Sequence, residues 1–183
     1  FELQSQTVDW AGLTSLQFSR MTESRRFADH FQKFRYTSFG YTYLGYNLKD
    51  PKFQDVRVRR ALNLAIDKPS IIEGVLMGLG EEATGPYPKA SWAYNTEVQP
   101  ARYDPEEARR LLAEAGWRDS NQDGVLDRGG KPFEFTLLTN QGNLARELAA
   151  QIVQQRLKEV GIRVHLWILE WSSLLHEFID KRR

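Results

Sequence analysis

Tyr43-Leu-Gly-Tyr-Asn47-Leu-Lys-Asp-Pro51-Lys-Phe-Gln-Asp55-Val-Arg-Val-Arg-Arg60-Ala-Leu-Asn-Leu-Ala65-Ile-Asp-Lys-Pro69-Ser-Ile-Ile72 is the stretch on which the fold of this chain is decided. Its start belongs to a run, Phe34 to Asn47, rich in Tyr, Phe and Thr, which suit a half-buried pleated surface. Pro51 stops the strand, because its ring fixes φ and it has no N–H to give to a ladder. Asp55 is then a helix N-cap, its carboxylate placed to accept from the first free amides. Val58, Ala61, Leu62 and Ala65 follow at helical spacing on one face, so a helix is predicted through Ala65. Arg57, Arg59 and Arg60 surround that face and read as a solvated basic surface. Pro69 fits the first turn of a second helix.

Outward from this stretch the pattern alternates strand and helix. Phe1 to Gln6 alternates apolar and polar residues and predicts a short strand. Asp9 reads as the cap of a short helix holding Trp10, Leu13 and Leu16. Two strand pieces are expected at Phe34–Thr37 and Tyr41–Asn47. Residues 81–103, with Pro86, Pro88 and Pro100, make a loop longer than a connector needs. Asp104-Pro-Glu-Glu107 starts a helix that buries Ala108, Leu111, Leu112 and Ala115 and ends at Gly116. Pro132–Thr139 reads as a strand, and Asn143–Gly161 as an amphipathic helix carrying Leu144, Leu148, Ile152, Leu157 and Val160. Gly161 is its left-handed terminator. Ile162–Leu169 is a strand, and Trp171–Lys181 a final helix. Strand, helix and strand in succession make a βαβ unit with parallel strands. The fold class is therefore α/β, a mixed sheet flanked by helices.

With 183 residues, 41% hydrophobic and 27% charged, the chain suits one domain with its own core. Its net charge of +1 offers no electrostatic case for nucleic acid or an anionic membrane. No apolar run approaches the ~20 residues a membrane span needs. The absence of cysteine excludes disulfides, thiolate metal sites and a cysteine nucleophile. The chain opens Phe-Glu-Leu-Gln, without Met and without a basic start before an apolar run, as an excised fragment would.

Few residues carry chemistry. Asp119, Asn121, Asp123 and Asp127 fall at positions 1, 3, 5 and 9 of a calcium loop, with Gly124 at position 6. Gly130 stands where the bidentate twelfth ligand belongs, so the set is incomplete and implies a weak site at most. The competing reading is an Asx-turn connector whose acids and Gly make tight turns. His30, His165 and His176 lie in different segments and suggest no three-ligand centre. Glu170 has no assignable partner carboxylate. Without a nucleophile–base pair or a cofactor motif, no enzyme is predicted, and no cofactor beyond weak calcium. Tyr41, Tyr43, Trp92, Tyr94 and Trp171 sit at strand ends or on loops, where ligand contacts are commonly carried. Each serves equally well as core or lid packing.

Taken in order, these segments resemble the bacterial extracellular solute-binding proteins of the oligopeptide, dipeptide and nickel class. The resemblance runs through the Asp55-Val-Arg-Val-Arg helix, Ala83-Thr-Gly-Pro86, Trp92-Ala-Tyr-Asn95 and Tyr103-Asp-Pro-Glu. It continues through Leu111 to Trp117, the Asp-rich loop, Leu137-Leu-Thr-Asn140, Ile152 to Ile162 and Leu169-Glu-Trp171. It implies one lobe of a two-lobed clamshell that closes on a solute and delivers it to an ABC permease. Residues 1–183 would form part of the second lobe, without the first lobe and the C-terminal return. The implied location is periplasmic or extracellular, with a lipid anchor on some full-length forms.

The resemblance also implies ligand-binding positions. Tyr43 and Gly45 occupy the ligand-facing strand, although in oligopeptide binders the Gly45 position can be an acid. Asn140 matches an Asn that holds peptide backbone, and Trp171 an aromatic lining a side-chain pocket. Phe178 replaces a residue that is sometimes basic. The partners implied are a peptide or other small solute and the permease, with no nucleic acid. The alternative is the same fold used as the sensor domain of a DNA-binding regulator.

Overall fold

The computed structural model describes residues 2–177. Six α-helices are found among them, α1 (Arg25–His30), α2 (Val56–Ala65), α3 (Lys68–Gly74), α4 (Pro105–Glu114), α5 (Leu144–Glu159) and α6 (Trp171–Leu175). The four strands are β1 (Asp127–Arg128), β2 (Lys131–Pro132), β3 (Glu134–Asn140) and β4 (Arg163–Leu169). β1 and β2 form an antiparallel hairpin. Its two-residue turn is Gly129-Gly130, both at positive φ, as the primed turns of tight hairpins require. β3 and β4 pair in parallel, Glu134 opposite Arg163 through Asn140 opposite Leu169. Both strand orientations therefore occur, in two separate sheets, and the α/β class holds.

Local capping explains where the helices begin. Asp55 accepts from the Arg57 N–H at 2.8 Å, Asp67 from Ser70 at 3.1 Å, Asp104 from Glu107 at 2.9 Å and Asn143 from Arg146 at 3.0 Å. The ends of α4 and α5 share one device. Gly116 (φ 85°) and Gly161 (φ 82°) turn the chain left-handed. Trp117 N–H then returns to Leu112 O, and Ile162 N–H to Leu157 O, each at 2.9 Å. Each turn drives the next apolar side chain inward, and Trp117 and Ile162 are both buried. A Cβ at Gly161 would lie 2.8 Å from Leu126 Cγ, so this position excludes a side chain on both counts.

One core joins these elements. Val58 and Leu62 of α2, Leu112 of α4, Leu157 of α5 and Phe133 beside β3 are fully buried in it. Phe133 stacks on Trp117 with ring centroids 4.3 Å apart, and Phe53 meets Phe135 edge-on at 5.3 Å.

The structure corrects several sequence expectations. Residues 2–7 form turns rather than a strand. Asp9 caps nothing; a short π-type helix, Gln17–Met21, forms after Thr14 and Gln17 cap each other. The expected strands at Phe34–Thr37 and Tyr41–Asn47 are irregular and join no ladder, because no strand lies alongside them among the described residues. Arg57 and Arg59 are not merely solvated. Arg57 forks onto Asp55 and reaches Glu114 O at 2.8 Å, and Arg59 donates to Phe53 O and Gln54 O. On α5, Leu144 and Leu148 are exposed, and the buried row is Ala150, Val153, Leu157 and Val160. At 100° per residue Leu144, Leu148 and Ile152 share the opposite face, so this helix is apolar on two sides. The expected final helix is present as α6, and its predicted residues 178–181 lie outside the described residues, as do Phe1 and Phe178.

Candidate functional site

The carboxyl end of a parallel strand pair is where α/β folds present ligand-binding groups. Here that end is made by Asn140, the last residue of β3, and by Trp171, which opens α6 just after β4. Their register is fixed, since Asn140 pairs with Leu169 and the Gln141 N–H donates to Leu169 O at 2.6 Å. Trp171 is half exposed. Glu170 caps the helix behind it, its carboxylate accepting from Ser172 and Ser173. Hydrogen bonds from the Ser172 hydroxyl and N–H hold Glu170 below the usual carboxylate range. Glu170 is therefore a committed cap, ionised at neutral pH and without a proton to donate.

Asn140 is 9% exposed. Its Oδ1 accepts from Arg146 Nη1 at 2.8 Å, and its Nδ2 donates to Gln141 O at 3.1 Å. One Nδ2 hydrogen and one Oδ1 lone pair remain. Arg146 was not singled out in the sequence. The signal that could have found it is a cation in the first turn of a helix, at the positive end of the dipole.

Tyr43 and Gly45 lie in the unpaired segment before α2. Leu44 and Tyr46 alternate with them and pack on the core, so Tyr43 and Gly45 face the other way. Tyr43 meets Tyr41 with centroids 5.6 Å apart. The structure thus joins Asn140 and Trp171 at one strand end and leaves Tyr43 and Gly45 on a separate segment. Trp92, 98% exposed, projects from the long loop, while Tyr94 is half-buried.

The Asp-rich loop is held by its own backbone. Asp119 accepts from Asp123 and Gly124 N–H, Asn121 from Asp123 N–H, and Asp123 from Val125 N–H. Asp127 accepts from the Ser120 hydroxyl and N–H, which hold its carboxyl below the usual range. Among the described residues no three His, Cys, Asp or Glu side chains converge as a metal shell. These oxygens fit the Asx-turn geometry closely and a calcium shell only in part. We expect 1 mM calcium to raise the thermal midpoint by less than roughly 3 °C, since half-occupancy contributes only about 0.4 kcal/mol. Scanning calorimetry with and without a chelator reads this directly. A large rise that survives Asp123→Ala would place calcium elsewhere.

Comparison with known proteins bears on this geometry. The model of the family "Bacterial extracellular solute-binding proteins, family 5 Middle" matches residues 2–182. The oligopeptide-binding protein AppA of Bacillus subtilis is 46% identical over 142 residues, covering 76% of this chain and 26% of its own length. The structure of AppA in complex with a nonapeptide superposes with a TM-score of 0.71 and 47% identity, over 73% of this chain and 27% of that one. NikZ from Campylobacter jejuni, solved in complex with Ni(L-His), superposes with a TM-score of 0.82 at 28% identity, over 98% of this chain and 35% of its own. The chain therefore spans about a quarter to a third of the proteins it matches. The regulator alternative finds no support among these relatives, which are binding proteins.

Proposed function

This chain belongs to the bacterial extracellular solute-binding proteins of family 5, and we propose that it forms part of the second lobe of a peptide-binding component of an ABC importer. The full-length protein captures oligopeptides or dipeptides in the periplasm or at the cell surface, where a lipid anchor retains it, and delivers them to the membrane permease. The observation that carries this reading is the 46% identity to AppA, whose solved complex holds a nonapeptide. NikZ, solved with Ni(L-His), is more distant in sequence at 28% identity, which favours peptide over metal chelate.

The site chemistry agrees with a carrier. Trp171 offers aromatic area that depends little on the identity of the packed side chain, and Asn140 keeps one donor and one acceptor for a peptide backbone. Tyr43 and Gly45 would line the same cleft from the segment before α2. There the absence of a side chain at Gly45 leaves room rather than a charge. The chemistry is binding and release, with no bond made or broken.

The test is calorimetry on the full-length protein with alanine-rich peptides of two to nine residues. Binding at micromolar or tighter affinity is expected, and Trp171→Ala should weaken it about tenfold, the loss of one half-exposed aromatic anchor. Its thermal midpoint should be nearly unchanged, because α6 lies at the edge of the core. A full-length protein that binds no peptide, or a Trp171→Ala variant with wild-type affinity, refutes the assignment.

A further inference from the structure

We propose that residues 81–103 form a latched arm: Lys68 closes it at the neck, and the arm swings about Met77 and Gly78 when that latch opens. The latch belongs to this lobe alone, whichever solute the full-length protein carries.

Lys68, the first residue of α3, touches both ends of the loop. Its Nζ lies 2.8 Å from Glu82 Oε1 on the entry side and donates to Ala101 O at 3.1 Å on the exit side. The side chains of this ion pair are only 25% and 22% exposed, so water screens it less than a surface pair. Among the described residues no other hydrogen bond or ion pair joins the two sides. Lys89 meets Glu81 within the entry side, Ser91 and Tyr94 close turns at the tip, and Gln99 bonds to Thr96 O within the exit side. A cavity of about 450 Å3 is lined from both sides, by Glu82 and by Pro100 and Tyr103, with Pro69 of α3. The neck is thus bridged by one ammonium group beside open space. Lys52 and Lys89 also pair with acids, but only with acids of their own segment.

The two sides are anchored unequally. Asp67, next to Lys68, is buried, caps α3 and is held by Arg156 of α5 at 3.0 Å, so the latch stands on the core. The exit side is fixed where the Asp104 N–H donates to Leu64 O of α2 at 2.9 Å. On the entry side, no backbone N–H of residues 80–87 donates a hydrogen bond among the described residues. That side leaves α3 through Met77 and Gly78, both left-handed at φ 54° and 71°. Gly adopts this conformation freely and Met does not, so strain sits at the foot of the arm while the latch is closed. A segment held only at its foot and its latch turns about the foot. The arm carries Trp92, 98% exposed, and Tyr87, 53% exposed, so opening moves both rings relative to the core.

The experiment follows trypsin cleavage after Lys89 and amide exchange at Gly78 and Asp104 in the full-length protein. Lys68→Met is expected to speed cleavage about tenfold or more, the loss of a contact made by a charged donor, because cleavage tracks the open population. Exchange at Gly78, whose N–H bonds to Ile72 O at 3.0 Å, should rise with it. Exchange at Asp104 should stay within about twofold, since the exit side keeps its own anchor. Glu82→Gln, which leaves Lys68 its bond to Ala101 O, should speed cleavage about threefold. Lys52→Met, which also removes an acid-paired lysine, should leave cleavage at the wild-type rate. Unchanged cleavage in both Lys68→Met and Glu82→Gln overturns the latch. So does cleavage raised equally by Lys52→Met, because general destabilisation would then be the cause. A Gly78 amide that does not respond, or an Asp104 amide that rises with cleavage, overturns the hinge.

Discussion

Replacing Trp117 by Ala is expected to destabilise the fold by about 3–5 kcal/mol, the range for removing a large aromatic from a packed core. The reason lies in how the chain delivers this side chain. Gly116 closes α4 in the left-handed conformation, and the return bond to Leu112 O puts Trp117 against Phe133 at a centroid distance of 4.3 Å. Arg128 also lies over the indole, its guanidinium carbon 4.7 Å from the ring centroid. The substitution therefore opens a cavity and strips a cation–π contact together. Trp117→Phe is expected to cost far less. The indole N–H is buried and finds no hydrogen-bond partner among the described residues, so its loss gives up no polar interaction there. Denaturant unfolding of the two variants checks both statements. Equal losses for Ala and Phe would mean that the indole N–H is satisfied after all.

Arg156→Ala is expected to cost about 2–3 kcal/mol at pH 7, somewhat below the 3–5 kcal/mol for breaking a fully buried pair. Arg156 reaches from α5 to Asp67, the cap of α3, at 3.0 Å, and to Glu159 at 3.1 Å, and lies 5.7 Å from the centroid of Tyr103. Asp67 is buried, and burial alone would push its carboxyl up. Hydrogen bonds from the Ser70 hydroxyl and N–H, with the charge and hydrogen bond of Arg156, outweigh this and hold it below the usual range. A depressed carboxylate contributes stability that is complete above its unfolded pKa of about 4 and is lost as pH falls through the folded value. The penalty of Arg156→Ala should therefore be full at pH 7 and shrink below about pH 4, as Asp67 takes up its proton. Unfolding midpoints at pH 7 and pH 3 give the comparison. An identical penalty at both would assign the loss to packing on Tyr103 instead of the ion pair.

What the sequence disclosed depended on the range of the forces involved. Asp55 was legible as a cap, and Asp104 as the start of a helix, because a cap acts on amides two or three residues away. The parallel pairing of β3 and β4 followed from order alone, since a strand-to-strand crossover through a helix leaves little choice. Phe34–Asn47 misled, because its composition favours a pleated surface while a strand exists only beside a partner. α1 escaped notice at six residues, too short for a helical stripe, with Ser24 its only local mark. At the site, Asn140 and Trp171 were named from family resemblance, and the structure brings them to one strand end. The Asn140–Arg146 bond was out of reach, since it depends on how the first turn of α5 stands over the end of β3. The rotation of α5 was equally hidden, because two apolar rows compete on one helix and only tertiary packing selects between them.

The parallel register of β3 and β4 carries a kinetic consequence. An antiparallel pair can zip outward from its turn, whereas these strands cannot meet until α5 has brought the chain back across the sheet. A helix of that length forms within about a microsecond, so strand closure is the slower event. Asn140 and Trp171 reach their places only on that closure. The same coupling governs opening: one separation of β4 from β3 frees Gln141 from Leu169 and carries Trp171 away from Asn140. This end of the β3–β4 pair is thus one cooperative unit, assembled and dispersed in a single step, and amide exchange at Gln141 reports its opening.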